Sequence, residues 1–220
     1  MDTEPSYQIS SESGPENHPP PEISLEFTIL PEIHSLTEDS ESPILTITIT
    51  SHAAQPITIF TWGTFLHPHR AMSSMKYHII DVDTKQRIYR PVSFVRRNAF
   101  RRRMGHPDET YFWTLYPEEP RAVTSTLHFA NLWRRRVELA GRIITTETTM
   151  YKGVEMRNFL EPGHRYTFGT PHAGVTWWRW GTKEENLEPK GGAPEKSGLG
   201  WSEPFLPITD IKQARIEIRP

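Results

Sequence analysis

The sequence predicts an all-β fold, an antiparallel β-sandwich preceded by a disordered tail. Three observations predict it. Apolar residues recur at every second position in short runs, which is the period of a strand with one buried face. The 20 prolines and 13 glycines punctuate those runs, and no long stretch carries a helical stripe. Residues 1–22 are rich in Ser, Pro and Glu and poor in large apolar groups, so they cannot offset the entropy lost on ordering. One ordered domain is therefore expected over 23–220.

The elements follow in order. Ile23, Leu25, Phe27 and Ile29 alternate with Ser24, Glu26 and Thr28 to give the first strand. Ile44, Leu45, Ile47 and Ile49 alternate with threonines to give the second. After a turn over Ser51–Pro56, Ile57, Ile59 and Thr61 continue one face. Further strands are predicted at Lys76–Val82, Arg87–Val95, Tyr111–Tyr116 and Val123–Phe129. Asn131–Ala140 fits either a short helix or a strand with an arginine-rich edge. Late strands are predicted at Met156–Leu160, His164–Phe168, Val175–Trp180 and Ala214–Ile218. Between the last two, Lys183–Pro204 reads as a long hairpin loop, of a length usually reserved for function or disorder.

The run Leu160-Glu161-Pro162-Gly163-His164-Arg165-Tyr166 reads as a strand end, a tight Pro-Gly turn and a new strand. A tyrosine just inside that second strand suits the corner of an immunoglobulin-like sandwich, where its hydroxyl ties the corner to nearby backbone. A hairpin of Pro43–Ser51, a turn and Pro56–Phe60 precedes it. Together these segments resemble intracellular immunoglobulin-like domains. With Val175-Thr176-Trp177-Trp178-Arg179-Trp180-Gly181 added, the layout over residues 23–219 resembles uncharacterised proteins of filamentous fungi. The resemblance implies an immunoglobulin-like antiparallel sandwich. It implies no catalytic residue, since one fold hosts many functions.

Composition narrows the function classes. The chain has no cysteine, which removes disulfides, thiolate metal sites and a cysteine nucleophile. A domain of this size without disulfides leans towards a reducing compartment. The start of the chain shows neither a basic nor an apolar signal segment, and no apolar run approaches the ~20 residues of a membrane span. A cytoplasmic location away from membranes is expected. The net charge of -2 hides an asymmetry. Ten carboxylates precede Arg70, the first basic residue, leaving 17 acidic against all 25 basic residues after it. An acidic lead on a basic body attracts it, subject to screening by salt.

Several residue groups point to chemistry. Arg96 and Arg97, Arg101, Arg102 and Arg103, and Arg134 beside Trp133 lie among aromatics, the pairing used for phosphates and stacked bases. An acidic protein or an anionic small molecule fits these clusters. Nucleic acid is disfavoured, because the whole chain is not basic. In 177–180 strand alternation separates Trp178 and Trp180 from Trp177 and Arg179. One pair feeds the core; the other exposes a large aromatic beside a guanidinium, which suits a cross-strand pair stabilising the sheet or the lining of a small-molecule site.

His67 and His69, at i and i+2, suit two metal ligands on one side of an extended segment. Nothing in the spacing selects a third ligand from His52, His78, His106, Asp81 or Asp83. Asp81 and Asp83 are expected on one strand face, where paired carboxylates serve as acid and base; a turn starting at Asp83 is the plainer reading. No nucleophile elbow or phosphate-binding glycine loop is present, Ser197-Gly198-Leu199-Gly200 being a loop, and no organic cofactor is expected. A Ser/His/acid triad, being assembled in space, is not favoured by any spacing.

Two functions result. The first is an intracellular, non-catalytic binding module with an arginine–aromatic surface for an anionic partner or ligand. The alternative is a cofactor-independent enzyme of fungal small-molecule biosynthesis, of cyclase or isomerase type. It would have a Trp/His-lined pocket and draw on His67, His69, Asp81 and His164.

Overall fold

The computed structural model describes residues 20–35, 40–67, 71, 76–88, 100–127, 160–170, 173–190 and 206–219. Four expectations lie outside them in whole or large part. These are the tail over 1–19, the far end of the Arg87–Val95 strand, the Asn131–Ala140 element and the Met156–Phe159 run.

The described chain builds strands β1 (Ile23–Leu30), β2 (Ile33–Ser35), β3 (Ile44–Ser51), β4 (Ile57–Phe60), β5 (His78–Asp81), β6 (Arg87–Ile88) and β7 (Phe112–Leu115). They continue as β8 (Arg121–Thr126), β9 (Arg165–Gly169), β10 (Ala173–Val175), β11 (Trp178–Trp180), β12 (Leu206–Ile208), β13 (Asp210–Lys212) and β14 (Ala214–Arg219). One 3-10 helix, Pro107–Tyr111, and one short helix α1, Lys183–Asn186, complete it. The all-β expectation holds, with mostly antiparallel pairing and two parallel pairs, β1 with β13 and β2 with β14. The described strands divide among four sheets.

Sheet one has the order β13-β1-β3-β8. β1 and β3 pair from Ile23 opposite Ser51 to Leu30 opposite Ile44. Alternation turns Ile23, Leu25, Phe27, Ile29, Leu45, Ile47 and Ile49 inward, each at most 2% exposed. Ser24, Glu26, Thr48 and Thr50 stand on the opposite face, since successive strand side chains point to opposite sides. Sheet two has the order β2-β14-β9-β5-β6 and contributes Ile79, Tyr166, Phe168, Ile216 and Ile218 to the same core. Tyr77 bridges the sheets, its ring 5.8 Å from Phe27 and 5.3 Å from Phe168.

The corner forms as its residues dictate. Gly163 takes φ +85, open to glycine and strained for other residues. The His164 N–H donates to Glu161 O at 3.3 Å, closing the turn. Buried Tyr166 then accepts the Glu161 N–H on its hydroxyl at 2.6 Å. Across to β14 the Gly163 N–H donates to Ile218 O at 2.7 Å, and the Ile218 N–H donates to His164 O at 3.0 Å.

Sheet three, β11-β4-β7, departs from the half-buried strand that the sequence suggests for Ile57–Thr61. All four residues of β4 are buried. Ile57 and Ile59 join the main core, and Thr58 and Phe60 face a second cover. That cover comes partly from the Lys183–Pro204 segment, whose start is folded rather than a loop. Gly181 takes φ +90, the Thr182 N–H donates to Glu185 Oε2 at 2.7 Å, and α1 follows. Asn186 Nδ2 donates to Thr58 Oγ1 at 3.2 Å, and Lys183 N–H to Thr114 Oγ1 at 2.9 Å. These bonds pair the buried threonine hydroxyls that sheet three presents to α1.

Candidate functional site

The arginine–tryptophan face is built on the α1 side of sheet three. Register places Arg179, Thr58 and Thr114 in one cross-strand row, with Phe60 opposite Phe112 in the next. Trp177 precedes β11 by one residue and accepts the Phe60 N–H at 3.0 Å. Its ring meets Phe112 edge-on at 5.3 Å and shares a cluster with Phe60 and Leu187. Trp62, Phe100, Met104 and Tyr111 pack around that cluster.

Two guanidiniums reach the Trp177 ring, that of Arg179 at 5.4 Å from its centroid and that of Arg102 at 6.0 Å. Backbone pairing positions the second. The Glu188 N–H donates to Arg102 O at 2.8 Å, and the Met104 N–H to Glu188 O at 2.9 Å. Arg103 Nε adds an ion pair to Glu188 at 3.5 Å. Buried Asp108 accepts the Arg101 N–H at 2.9 Å, ordering the start of this segment. Glu109 accepts from Lys183 Nζ at 2.6 Å and from Gly105 N–H at 2.6 Å. The Lys183 ammonium first, then that amide, hold the Glu109 carboxyl below its usual range.

One expectation is corrected here. Alternation separates the tryptophans as foreseen, but Trp177 is not an exposed aromatic: it is 1% exposed. Phe60, Phe112 and Leu187 share its buried cluster. Its indole Nε1–H finds no acceptor among the described residues. Trp178 and Trp180 are half-buried against the main core and meet each other edge-on at 5.4 Å. An arginine–tryptophan stack that the sequence did not suggest, Arg121 over Trp113 at 4.3 Å, occupies the Trp178 side of the sheet.

The remaining predicted residues separate. Arg101 is exposed, and Arg102, Arg103, Arg179 and Trp180 are half-buried. Arg96, Arg97, Trp133, Arg134 and His69 lie outside the described residues. His67 packs its ring on Trp62 at 6.0 Å and on Tyr111 at 5.4 Å.

Asp81 and His164 do meet, Oδ2 to Nδ1 at 2.6 Å. β5 ends at Asp81, so Asp81 and Asp83 do not share a strand face as expected. Asp81 itself opens the turn, its Oδ1 accepting the Asp83 and Thr84 N–H groups at 2.8 and 2.9 Å. Burial opposes its ionisation, but the Thr84 amide, His164 and the Asp83 amide outweigh burial and hold the carboxyl below its usual range. Asp83 pairs with Arg165 at 2.7 Å. Ligand atoms of Asp81, Asp83 and His164 lie within 4.8 Å of one another, a spacing open to a cation. Both Asp81 oxygens already hold the corner together, which makes the group a clamp on the β5–β9 end.

A third constellation escaped the sequence. Ser24 Oγ lies 2.8 Å from His52 Nε2, and His52 Nδ1 lies 3.0 Å from both Glu118 carboxylate oxygens. Its members are 28 and 66 positions apart. Only the β1–β3 register, with the Glu118 N–H bonded to Ser51 O at 2.8 Å, brings them together. Among the described residues no helix is long and apolar enough to cross a membrane. Comparison with known protein families, with curated proteins and with solved structures found no match to this chain.

Proposed function

We propose that the chain is an intracellular, cytoplasmic binding module, non-catalytic at its arginine–tryptophan face, which takes an anionic partner there. The recognised group is a carboxylate or a phosphate. One observation supports the reading: Trp177 buries an indole N–H that has no acceptor among the described residues, and the guanidiniums of Arg102 and Arg179 approach its ring. A buried donor without an acceptor costs about 1–3 kcal/mol, and an anion supplies the acceptor. Guanidinium forks match carboxylate and phosphate oxygens bidentately. The rest of the cluster, Phe60, Phe112 and Leu187, provides the dry surround in which such bonds are strong.

We read the fold more finely as an immunoglobulin-like sandwich. The Tyr166 hydroxyl bond to Glu161 and the core shared by sheets one and two support it. The alternative, an enzyme with a Trp/His-lined pocket, has less support: Trp177, His67 and His164 pack in different surroundings, on Phe112, on Trp62 and on Asp81.

Calorimetric titration with a polyglutamate peptide and with tripolyphosphate, at low and at high salt, tests the proposal. Binding is expected to weaken with salt and to fall about 10–100-fold in an Arg102→Ala/Arg179→Ala variant, since charge-assisted bonds contribute about 1.5–3 kcal/mol. The preferred probe distinguishes an acidic segment from a phosphate ligand. Equal affinity in the variant and the parent for both probes would overturn the assignment.

A further inference from the structure

We infer that Ser24, His52 and Glu118 form a hydrolytic site on the outer face of sheet one, remote in role from the arginine–tryptophan face. The contacts assign each group its part. The Glu118 carboxylate sits 3.0 Å from His52 Nδ1 through both oxygens, which selects the tautomer with hydrogen on Nδ1. Nε2 then carries the lone pair and accepts the Ser24 hydroxyl proton at 2.8 Å. A nucleophile, a base and a group orienting the base, each in hydrogen-bond reach of the next, are the requirements for an activated serine.

The backbone supports the same reading. Glu119 N–H donates to Tyr116 O at 3.2 Å, closing a turn with Pro117 second and Glu118 third. Glu118 takes φ +57 there. That position of such a turn ordinarily belongs to glycine. A glutamate held at it carries strain where its carboxylate meets an imidazole, a pattern associated with functional sites.

Ser24 also opens onto a groove of about 60 Å³ lined by Glu26, Thr48, Thr50, Asp210 and Lys212. A space of that size takes a group of a few heavy atoms. Two carboxylates in its lining disfavour anionic substrates, and Lys212 is its positive charge. The substrate class is a short-chain acyl ester of a neutral or cationic alcohol.

The reaction balances without a cofactor. Ser24 Oγ bonds to the ester carbonyl carbon and its proton passes to His52 Nε2, with the developing oxyanion turned into the groove that Lys212 helps to line. The intermediate collapses by breaking the ester C–O bond, and His52 returns the proton to the departing alkoxide, releasing the alcohol. Water then attacks the acyl-Ser24 carbonyl, gives its proton to His52, and the C–Oγ bond breaks. The carboxylic acid leaves and Ser24 Oγ takes the proton back. Glu118 holds the imidazolium in place throughout.

The test uses the full chain with p-nitrophenyl acetate and, separately, a fluorophosphonate followed by peptide mass mapping. Turnover above buffer and an adduct on Ser24 are expected. Ser24→Ala abolishes both, and His52→Ala lowers the rate about 100-fold, as for loss of a general base. Glu118→Gly separates catalysis from folding: it removes the carboxylate and the positive-φ strain together, so the melting temperature holds or rises while the rate falls. No turnover above buffer, an adduct elsewhere, or a Ser24→Ala rate equal to the parent's overturns the inference.

Discussion

Replacing Tyr166 by phenylalanine removes one oxygen from the corner that ties β9 to β14 and leaves the ring in place. The ring is 1% exposed and packs in the main core, so no cavity larger than a hydroxyl opens. What is lost is the 2.6 Å bond from the Glu161 N–H, and that amide then has no hydroxyl to donate to. A net hydrogen bond contributes about 0.5–1.5 kcal/mol, and an abandoned buried donor costs about 1–3 kcal/mol. Glu161 is half-buried, so water reaches it in part. The expected loss is therefore about 1–2 kcal/mol, or roughly 2–8 °C in melting temperature for a domain of this size. Urea denaturation followed by tryptophan fluorescence measures it. The midpoint should fall with an unchanged slope, because the same surface is exposed on unfolding. A change within about 0.5 kcal/mol, the range of neutral surface substitutions, would refute the claim that the hydroxyl holds the corner.

Two further predictions concern local devices. The Asp81 carboxyl has its pKa lowered from 3.8 in the folded chain. Its stabilisation is therefore complete above that ordinary value and is lost as pH falls through the folded value. Asp81→Asn should flatten the acid limb of a melting-temperature profile below about pH 4, and an unchanged limb would sink the assignment. Gly181→Ala should destabilise by about 1–2 kcal/mol from its positive φ, with more added by contact, since a Cβ there would lie 2.5 Å from Glu185 Oε2. Gly63→Ala, at φ +70 with nothing within 4 Å, isolates the backbone part; denaturation of both variants separates the two effects.

The period-2 runs made β1 and β3 legible, because each strand has one face in the core and one in solvent. The Tyr166 corner was legible for a different reason: it is local, its parts lying within seven residues of sequence. β4 was misread as half-buried, since its second cover comes from residues more than a hundred positions away. Trp177 was misread for the same reason. Alternation gave its side of the sheet, but only the folding of 101–104 against 187–188 decides that this side is closed. Thr182-x-x-Glu185 was a readable helix start at the edge of the supposed loop. Ser24, His52 and Glu118 carry no spacing signal at all, because strand register and one turn assemble them.

The central claim is that an anion meets the buried indole N–H of Trp177, whose ring the guanidiniums of Arg102 and Arg179 approach. The most direct measurement is the Nε1–H resonance of Trp177 in a proton–nitrogen NMR spectrum, assigned by its loss in Trp177→Phe. Titrating polyglutamate or tripolyphosphate at low salt should move that resonance downfield, saturably, and the movement should vanish in Arg102→Ala/Arg179→Ala. If the Trp177 resonance stays fixed while surface arginine signals move, the anion binds elsewhere and the account is contradicted.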